Sequence, residues 1–458
     1  MITSTVKAGP ETFHMALSTD RLRERNDVSM SGGFQRSSGT YRATKNPQLL
    51  RECVKVICQG GVAALVPTSA ADAYLDTIAT QVEGFARAYS VSSGSEVGGI
   101  LALPTSGSTG SPKLVAIPAT GIAQFLDWGK NYFNFNSSAV SLSLSPWNFD
   151  VSLLDTWAVL AGGGTVVAVE SARLHDAKYL ADLMRQYQPT FVQVVPSTLD
   201  ALIKAAGDDV CGSVHDVVLT GGVASRATRA VAARLFPAAV FHNVYGATEV
   251  NDCLIATMSA QQFASSETLP LGIPIAGCEI FLRSNGEVQP VGPLMEDSEG
   301  ELLVRAPWMA LGYITEGELQ PLPCTQVDAY GALYPMKDRA ISAAGCLEYL
   351  GRSDRTIKLR GQRINLDEIE HAARQTDLTA MTCAWLDEST STQQLHLAYT
   401  SPERGTTPVS GLQLRLKMSR LLPAFSMPNY LHPFDRPFPL NGNGKPDLPA
   451  IKTLIESK

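Results

Sequence analysis

The chain has 458 residues, 45% of them hydrophobic and 18% charged, with 37 Lys and Arg against 44 Asp and Glu for a formal net charge of −7. That length excludes a single small module and fits one large α/β body with an appendage, or about three domains at roughly 150 residues each. The acidic balance excludes life on nucleic acid or on an anionic membrane surface, both of which demand a basic face.

No direct membrane insertion is expected either, because no run approaches the eighteen or so apolar residues of a spanning helix and the first seven residues lack an apolar signal core. The eight cysteines, Cys53, Cys58, Cys211, Cys253, Cys278, Cys324, Cys346 and Cys383, form no Cys-x-x-Cys pair and no zinc spacing. They read as reduced thiols of a cytoplasmic protein.

In chain order, residues 1–45 are rich in Ser, Thr, Arg and Gly without a sustained period, and read as a loose, strand-poor lead-in. From Leu49 onward, Val54–Ile57, Gly99–Leu103, Thr165–Val169, Thr190–Val195 and Asp216–Leu219 read as short apolar strands separated by helices. Such a pattern predicts a largely parallel sheet covered on both faces. There is no internal repeat. Past residue 270 the texture turns antiparallel, with Ser284-Asn285-Gly286 and Ser298-Glu299-Gly300 read as turns. The charged pentad Gly351-Arg352-Ser353-Asp354-Arg355 marks a hinge at Asp354. The expected architecture is a large N-terminal α/β domain over 1–353, with parallel sheets and an antiparallel β portion, then a small mobile α+β C-terminal domain over 354–458.

The strongest local signal is Leu103-Pro104-Thr105-Ser106-Gly107-Ser108-Thr109-Gly110-Ser111-Pro112-Lys113, directly after an apolar strand. Small residues let the backbone approach an anion, successive N–H groups and hydroxyls cradle phosphate oxygens, and one lysine adds a point charge. Pro112 before Lys113 and the glycine spacing set it apart from the common nucleotide-binding loop.

This run resembles the phosphate loop of the adenylate-forming (ANL) enzymes, the superfamily of acyl-CoA synthetases, luciferases and nonribosomal-peptide-synthetase adenylation domains. Four further stretches follow in the same order. They are Asn243-Val244-Tyr245-Gly246-Ala247-Thr248-Glu249; Gly300-Glu301-Leu302 with Leu311-Gly312-Tyr313; Gly351 to Asp354 with Arg360 to Asn365; and Asn441-Gly442-Asn443-Gly444-Lys445-Pro446-Asp447. Chemically these parts suit attack of a carboxylate on the α-phosphorus of ATP, which brings two anions together and demands charge neutralisation and alignment.

The resemblance implies the following roles. Lys445 bridges the carboxylate and the developing phosphate charge; its plain alternative is an exposed lysine in an Asn/Gly turn. Glu249 holds Mg²⁺, a hard cation suited to carboxylate and phosphate oxygen. Thr248 contacts phosphate together with Thr105, Ser106, Gly107, Ser108, Thr109, Gly110 and Lys113. Asp338 and Arg352 meet the ribose hydroxyls, although Met336-Lys337-Asp338 departs from the usual Thr-Gly-Asp. Gly222, Asn243, Val244, Tyr245 and Gly246 surround AMP, with Gly222, Asn243 and Tyr245 framing adenine. Rotation about Asp354 exchanges Lys445 for the loop Lys358–Arg363 between the two half-reactions.

Within the stretch Asn148-Phe149-Asp150-Val151-Ser152, Asp150 resembles the carboxylate of the α-amino-acid activators. A carboxylate in a pocket is costly unless it meets a cation, which points to a substrate with a free ammonium; the alternative is a helix N-cap. By motif offset, the implied lining is Asp150, Val151, Leu154, Gln193, Leu219, Gly221, Val244, Asp252 and Cys253, with Lys445. The first six resemble glycine-activating domains, whereas Asp252 and Cys253 depart. Glycine is therefore the leading expectation, with alanine, serine and β-alanine as rivals. Since little chain follows Asp447, a stand-alone enzyme is expected, one that loads the phosphopantetheine thiol of a separate carrier protein. Lipid A glycylation is the destination implied for glycine. The rival readings are an acyl- or aryl-CoA ligase and a non-catalytic interaction protein.

Overall fold

The computed structural model describes residues 4–8, 11–15, 19–23, 38–92, 98–105, 113–207, 209–222, 224–292, 298–343, 346–352, 355–359, 362–387, 393–401, 409–435, 438–439 and 446–456. Its contacts divide into two units. One comprises 1–68, 80–104 and 114–354, and the other 69–79, 105–113 and 355–458.

The first unit is built on a nine-stranded sheet. Its strands run, in spatial order, Ile273–Pro274, Asn251–Met258, Val240–Ala247, Asp216–Thr220, Phe191–Val194, Val140–Ser143, Thr165–Ala168, Ser4–Ala8 and Glu11–Met15. The central strands are parallel, as their near-continuous apolar runs require when both faces are covered. On one face Val192, Val194, Leu219 and Phe241 pack with Leu180, Leu199, Leu202 and Leu235 of the flanking helices. On the other, Phe191, Val218 and Val244 pack with Phe125, Leu126, Leu154 and Trp157. A six-stranded sheet, Ser38–Arg42 to Glu318–Pro321, and an antiparallel sheet over Glu279–Arg352 complete the unit.

Three expectations are corrected. The lead-in is not strand-poor: Ser4–Ala8 pairs in parallel with Thr165–Ala168, and Val6 is fully buried there. Val54–Ile57 is not a strand but the end of the helix Pro47–Cys58, because Leu50, Cys53, Val56 and Ile57 recur on one helical face. Asn46 caps that helix by accepting from the Gln48 N–H, with Pro47 in its first turn; the strand follows at Val62–Val66. Finally, Ser298–Gly300 lies inside the strand Ser298–Arg305, and Gly300 is there because a Cβ would meet the Arg283 carbonyl oxygen at 2.6 Å. Asn285 and Gly286, both with positive φ, do form the expected hairpin turn.

The second unit has its own core. Ile364, Ile369, Ala384, Leu397, Leu414 and Met418 pack between a three-stranded sheet and the helices Leu366–Gln375 and Gly411–Met418. Arg355 opens it, bonding Asp367 at 2.5 Å, Glu370 at 2.9 Å and the Ala384 carbonyl at 3.0 Å. Among the described residues no helix is long and apolar enough to cross a membrane.

Candidate active site

The site in the first unit is assembled from the C-terminal ends of parallel strands, where an open α/β sheet leaves its crevice. The strand Val240–Ala247 turns through Thr248, Glu249 and Val250 into Asn251–Met258, with a bulge at Tyr245/Gly246. Gly246 is fixed by crowding, since a Cβ would meet the Asn251 carbonyl oxygen at 2.0 Å. Gly221 follows its strand with φ of 73°, a backbone that admits glycine most easily.

Asp150 precedes a π-helical segment, Leu153–Ala158, whose six residues are all buried. Such segments are rare and gather at functional sites. Asp150 accepts from the Val151 N–H at 3.0 Å and from the Thr248 hydroxyl. Burial pushes its carboxyl up to about 6; those two hydrogen bonds oppose the rise, and the Glu249 charge adds to it. Its partners are not the amides of a helix N-cap's first turn, so capping does not explain it.

Asp252, 7% exposed, sits across from Gly246 in the hairpin. Burial, with the Asp150 charge, pushes it up to about 8. Its carboxyl takes no hydrogen bond among the described residues; its backbone N–H donates to Asn251 Oδ1 at 2.8 Å and its backbone carbonyl accepts from the Trp308 indole at 3.1 Å. Glu249 is held by its backbone oxygen, which accepts from the Ala310 N–H, and by its Oε1, which accepts from the Tyr313 hydroxyl at 2.8 Å. Burial and Glu249 push Tyr313 far up, so it stays a donor. No hydrogen bond to the second Glu249 carboxylate oxygen is found among the described residues, and a carboxylate with such an oxygen is the donor Mg²⁺ takes alongside substrate phosphates, so Glu249 fits that ion.

Leu154 packs against Gly129, where a Cβ would lie 2.8 Å from Leu154 Cδ1. Gln193 is fully buried, and neither its Oε1 nor its Nε2 has a hydrogen-bond partner among the described residues. It pairs in register with Val218, on the face that carries Leu154, Val244 and Cys253. Leu219 lies on the opposite face and packs in the other cluster, so it does not share a lining with Gln193. Asn243 donates to the Pro270 carbonyl at 2.7 Å, and Gly222 abuts Pro196. Tyr245 donates to the buried Asp338, which ties an expected adenine neighbour to an expected ribose ligand. Asp338 pairs with Arg352 between strands. Thr105 ends the strand Ile100–Thr105 and Lys113 opens Lys113–Pro118. Ser106, Gly107, Ser108, Thr109, Gly110, Asp354 and Lys445 lie outside the described residues.

Two features escaped the sequence reading. Tyr313 lies in the motif Leu311-Gly312-Tyr313, which by itself implies no role for its hydroxyl. Lys45, in the lead-in, donates to the Ser143 carbonyl and faces Asp155, which is fully buried and accepts from the Ser145 N–H at 3.2 Å and from the Thr156 hydroxyl at 2.7 Å. Burial lowers Lys45 and raises Asp155, while each holds the other's charge. The pair braces residues 143–145, just ahead of the Asp150 loop. Lys45→Met strands a buried carboxylate and is expected to cost about 3 kcal/mol in denaturant unfolding; the double change with Asp155→Leu is expected to recover most of that loss, and equal loss in both variants would refute the brace.

Asp252 also carries a pH signature. A carboxyl raised on folding keeps its proton in the native chain where the unfolded chain has lost it, so stability falls as pH rises from about 4 through 8. The titratable groups facing it are Asp150 and Cys278, with Glu249 acting on Asp150. Asp252→Asn is expected to flatten the fall of Tm between pH 5 and 8.5, gaining about 3 °C at the upper end; parallel curves for the two proteins would count against it.

A groove of about 920 Å³ lined by Trp128, Tyr132, Ile255, Met258, Pro270 and Ile273, among others, lies farther along Asn251–Met258 and includes neither Asp150 nor Asp252.

Residues 99–314 match the AMP-binding enzyme family. The L-proline–[L-prolyl-carrier protein] ligase of Streptomyces coelicolor is 31% identical over 75% of this chain, which spans 64% of that ligase's length. The D-alanine–D-alanyl carrier protein ligase of Lactiplantibacillus plantarum is 29% identical over 76% of the chain and 69% of the ligase. The structure of holo-PA1221, containing adenylation and PCP domains, superposes with a TM-score of 0.74 at 21% identity, over 91% of this chain and 75% of that one. The fold is the α/β adenylation-domain fold.

Proposed function

We propose, from the match of residues 99–314 to the AMP-binding enzyme family and from the adenylation fold of the chain, that this protein activates an amino acid with ATP and loads it onto a carrier protein. The observation that carries the amino-acid half is Asp150, a carboxyl on a half-buried residue beside Glu249 that no cation of the described residues offsets. A substrate ammonium supplies that cation. The carrier half is supported by the names of the two ligases to which the chain is similar.

In this reading Thr248 orients Asp150, Asp150 holds the ammonium, and the substrate carboxylate is thereby turned toward the nucleotide. A carboxylate oxygen bonds to the α-phosphorus as pyrophosphate leaves; a carrier phosphopantetheine thiol then bonds to the acyl carbon as AMP leaves. Glu249 would hold Mg²⁺, which would supply neutralisation of the phosphate charge. Asp338 and Arg352 meet the ribose, and Lys445 neutralises charge between carboxylate and phosphate.

Mass spectrometry of the full chain with ATP, Mg²⁺ and an amino-acid mixture tests this reading. An aminoacyl-AMP is expected. Adenylates of amine-free acids alone would replace the reading with an acyl- or aryl-CoA ligase, and no adenylate of any acid with a non-catalytic binding protein.

A further inference from the structure

Two carboxyl groups, not one, converge beside the hairpin 246–252. Asp150 is satisfied in part by Thr248 and the Val151 N–H. Asp252 is more than nine-tenths buried, lies close enough to Asp150 for their charges to repel, and has no hydrogen bond to its carboxyl among the described residues. A buried carboxyl without a partner is costly, and glycine, with one ammonium, would engage only one of the two. Independently, among the described residues the fully buried Gln193 amide has no partner for either polar atom, on the sheet face that carries Val244 and Cys253, and the buried Asn148 has none for its Nδ2, two residues before Asp150. Native interiors leave few such groups, and together they outline a polar lining that awaits hydrogen-bonding atoms from a ligand.

We propose that Asp252 is a specificity-determining residue that receives a second ammonium, on the side chain of a diamino acid whose α-ammonium is held by Asp150. The inference rests on the amino-acid activation proposed above and names its substrate class. Two ammonium groups against two carboxyls balance the charge of the lining, and Gln193 has both a donor and an acceptor to offer along the side chain. The neutral side chain of alanine or serine leaves Asp252 uncompensated.

The test is amino-acid-dependent pyrophosphate exchange by the full chain with Mg²⁺·ATP. The panel is 2,3-diaminopropionate, 2,4-diaminobutyrate, ornithine and lysine, against alanine, serine, 2-aminobutyrate, glycine and β-alanine. A diamino acid is expected to lead its size-matched neutral counterpart by at least about tenfold in kcat/KM, as expected for a site built to bind a specific polar group. In Asp252→Asn that ratio is expected to fall at least tenfold. A wild-type signal led by glycine, alanine or serine overturns the inference while leaving amino-acid activation standing, and so does an unchanged ratio in Asp252→Asn. No exchange with any amino acid overturns both. Should Asp252→Asn fail to fold, the wild-type panel alone decides.

Discussion

Asp150→Asn is expected to lower kcat/KM for the preferred amino acid by about 10² to 10³. The change keeps the shape and the Thr248 and Val151 contacts but removes the charge that meets the substrate ammonium. Truncating one side of a buried hydrogen-bonded charge pair costs about 2–5 kcal/mol, at about 1.4 kcal/mol per factor of ten. A pH profile gives a second readout. Because burial raises Asp150 to about 6, the group ionises as pH rises through that value, so kcat/KM of the wild type climbs on the acid side. The variant is expected to lose that limb. A helix cap or a purely structural carboxylate would produce a smaller loss and leave the profile in place.

The second large effect is at Lys445. Lys445→Ala is expected to slow formation of the adenylate by about 10² to 10³, the scale of removing one preorganised group that stabilises transition-state charge. Transfer from a preformed aminoacyl-AMP to the carrier thiol is expected to change far less, because that step no longer joins two anions. Lys445→Arg retains the charge but not the compact ammonium and is expected to fall between the two. Stopped-flow release of pyrophosphate and a separate thioester assay measure the two steps. Equal loss in both would remove the charge-bridging role.

Much of this architecture was legible because burial writes itself into composition. Phe191–Val194 and Asp216–Thr220 are apolar on both faces, and only a doubly covered strand needs that. Val54–Ile57 misled because four apolar residues fit either period, and the helix declares itself only when Leu50 and Cys53 are counted with them. Gly300 read as a turn, yet the reason for its missing side chain is the Arg283 backbone of a neighbouring strand, which no local pattern contains. Of the site, Asp150, Thr248 and Glu249 stood out from their motifs, and the hairpin brings them together. What pairing makes of them was not readable: Tyr313 anchors Glu249 and Lys45 faces Asp155 across long stretches of chain. Asp252 was visible as a departure from the glycine pattern, but that its carboxyl takes no hydrogen bond among the described residues is a property of the folded hairpin. Leu219 shows the converse error, an offset-based lining residue that strand alternation turns to the other face.

On the proposed reading, Asp150 confines the enzyme to amino acids and shuts out acids at large. Pyrophosphate exchange into ATP, measured in parallel with amino acids and with acetate, propionate and benzoate, tests it most directly. Exchange is expected only with acids bearing an α-ammonium, and reduced by at least about a hundredfold in Asp150→Asn. Exchange supported equally by the amine-free acids, or undiminished in Asp150→Asn, would contradict it.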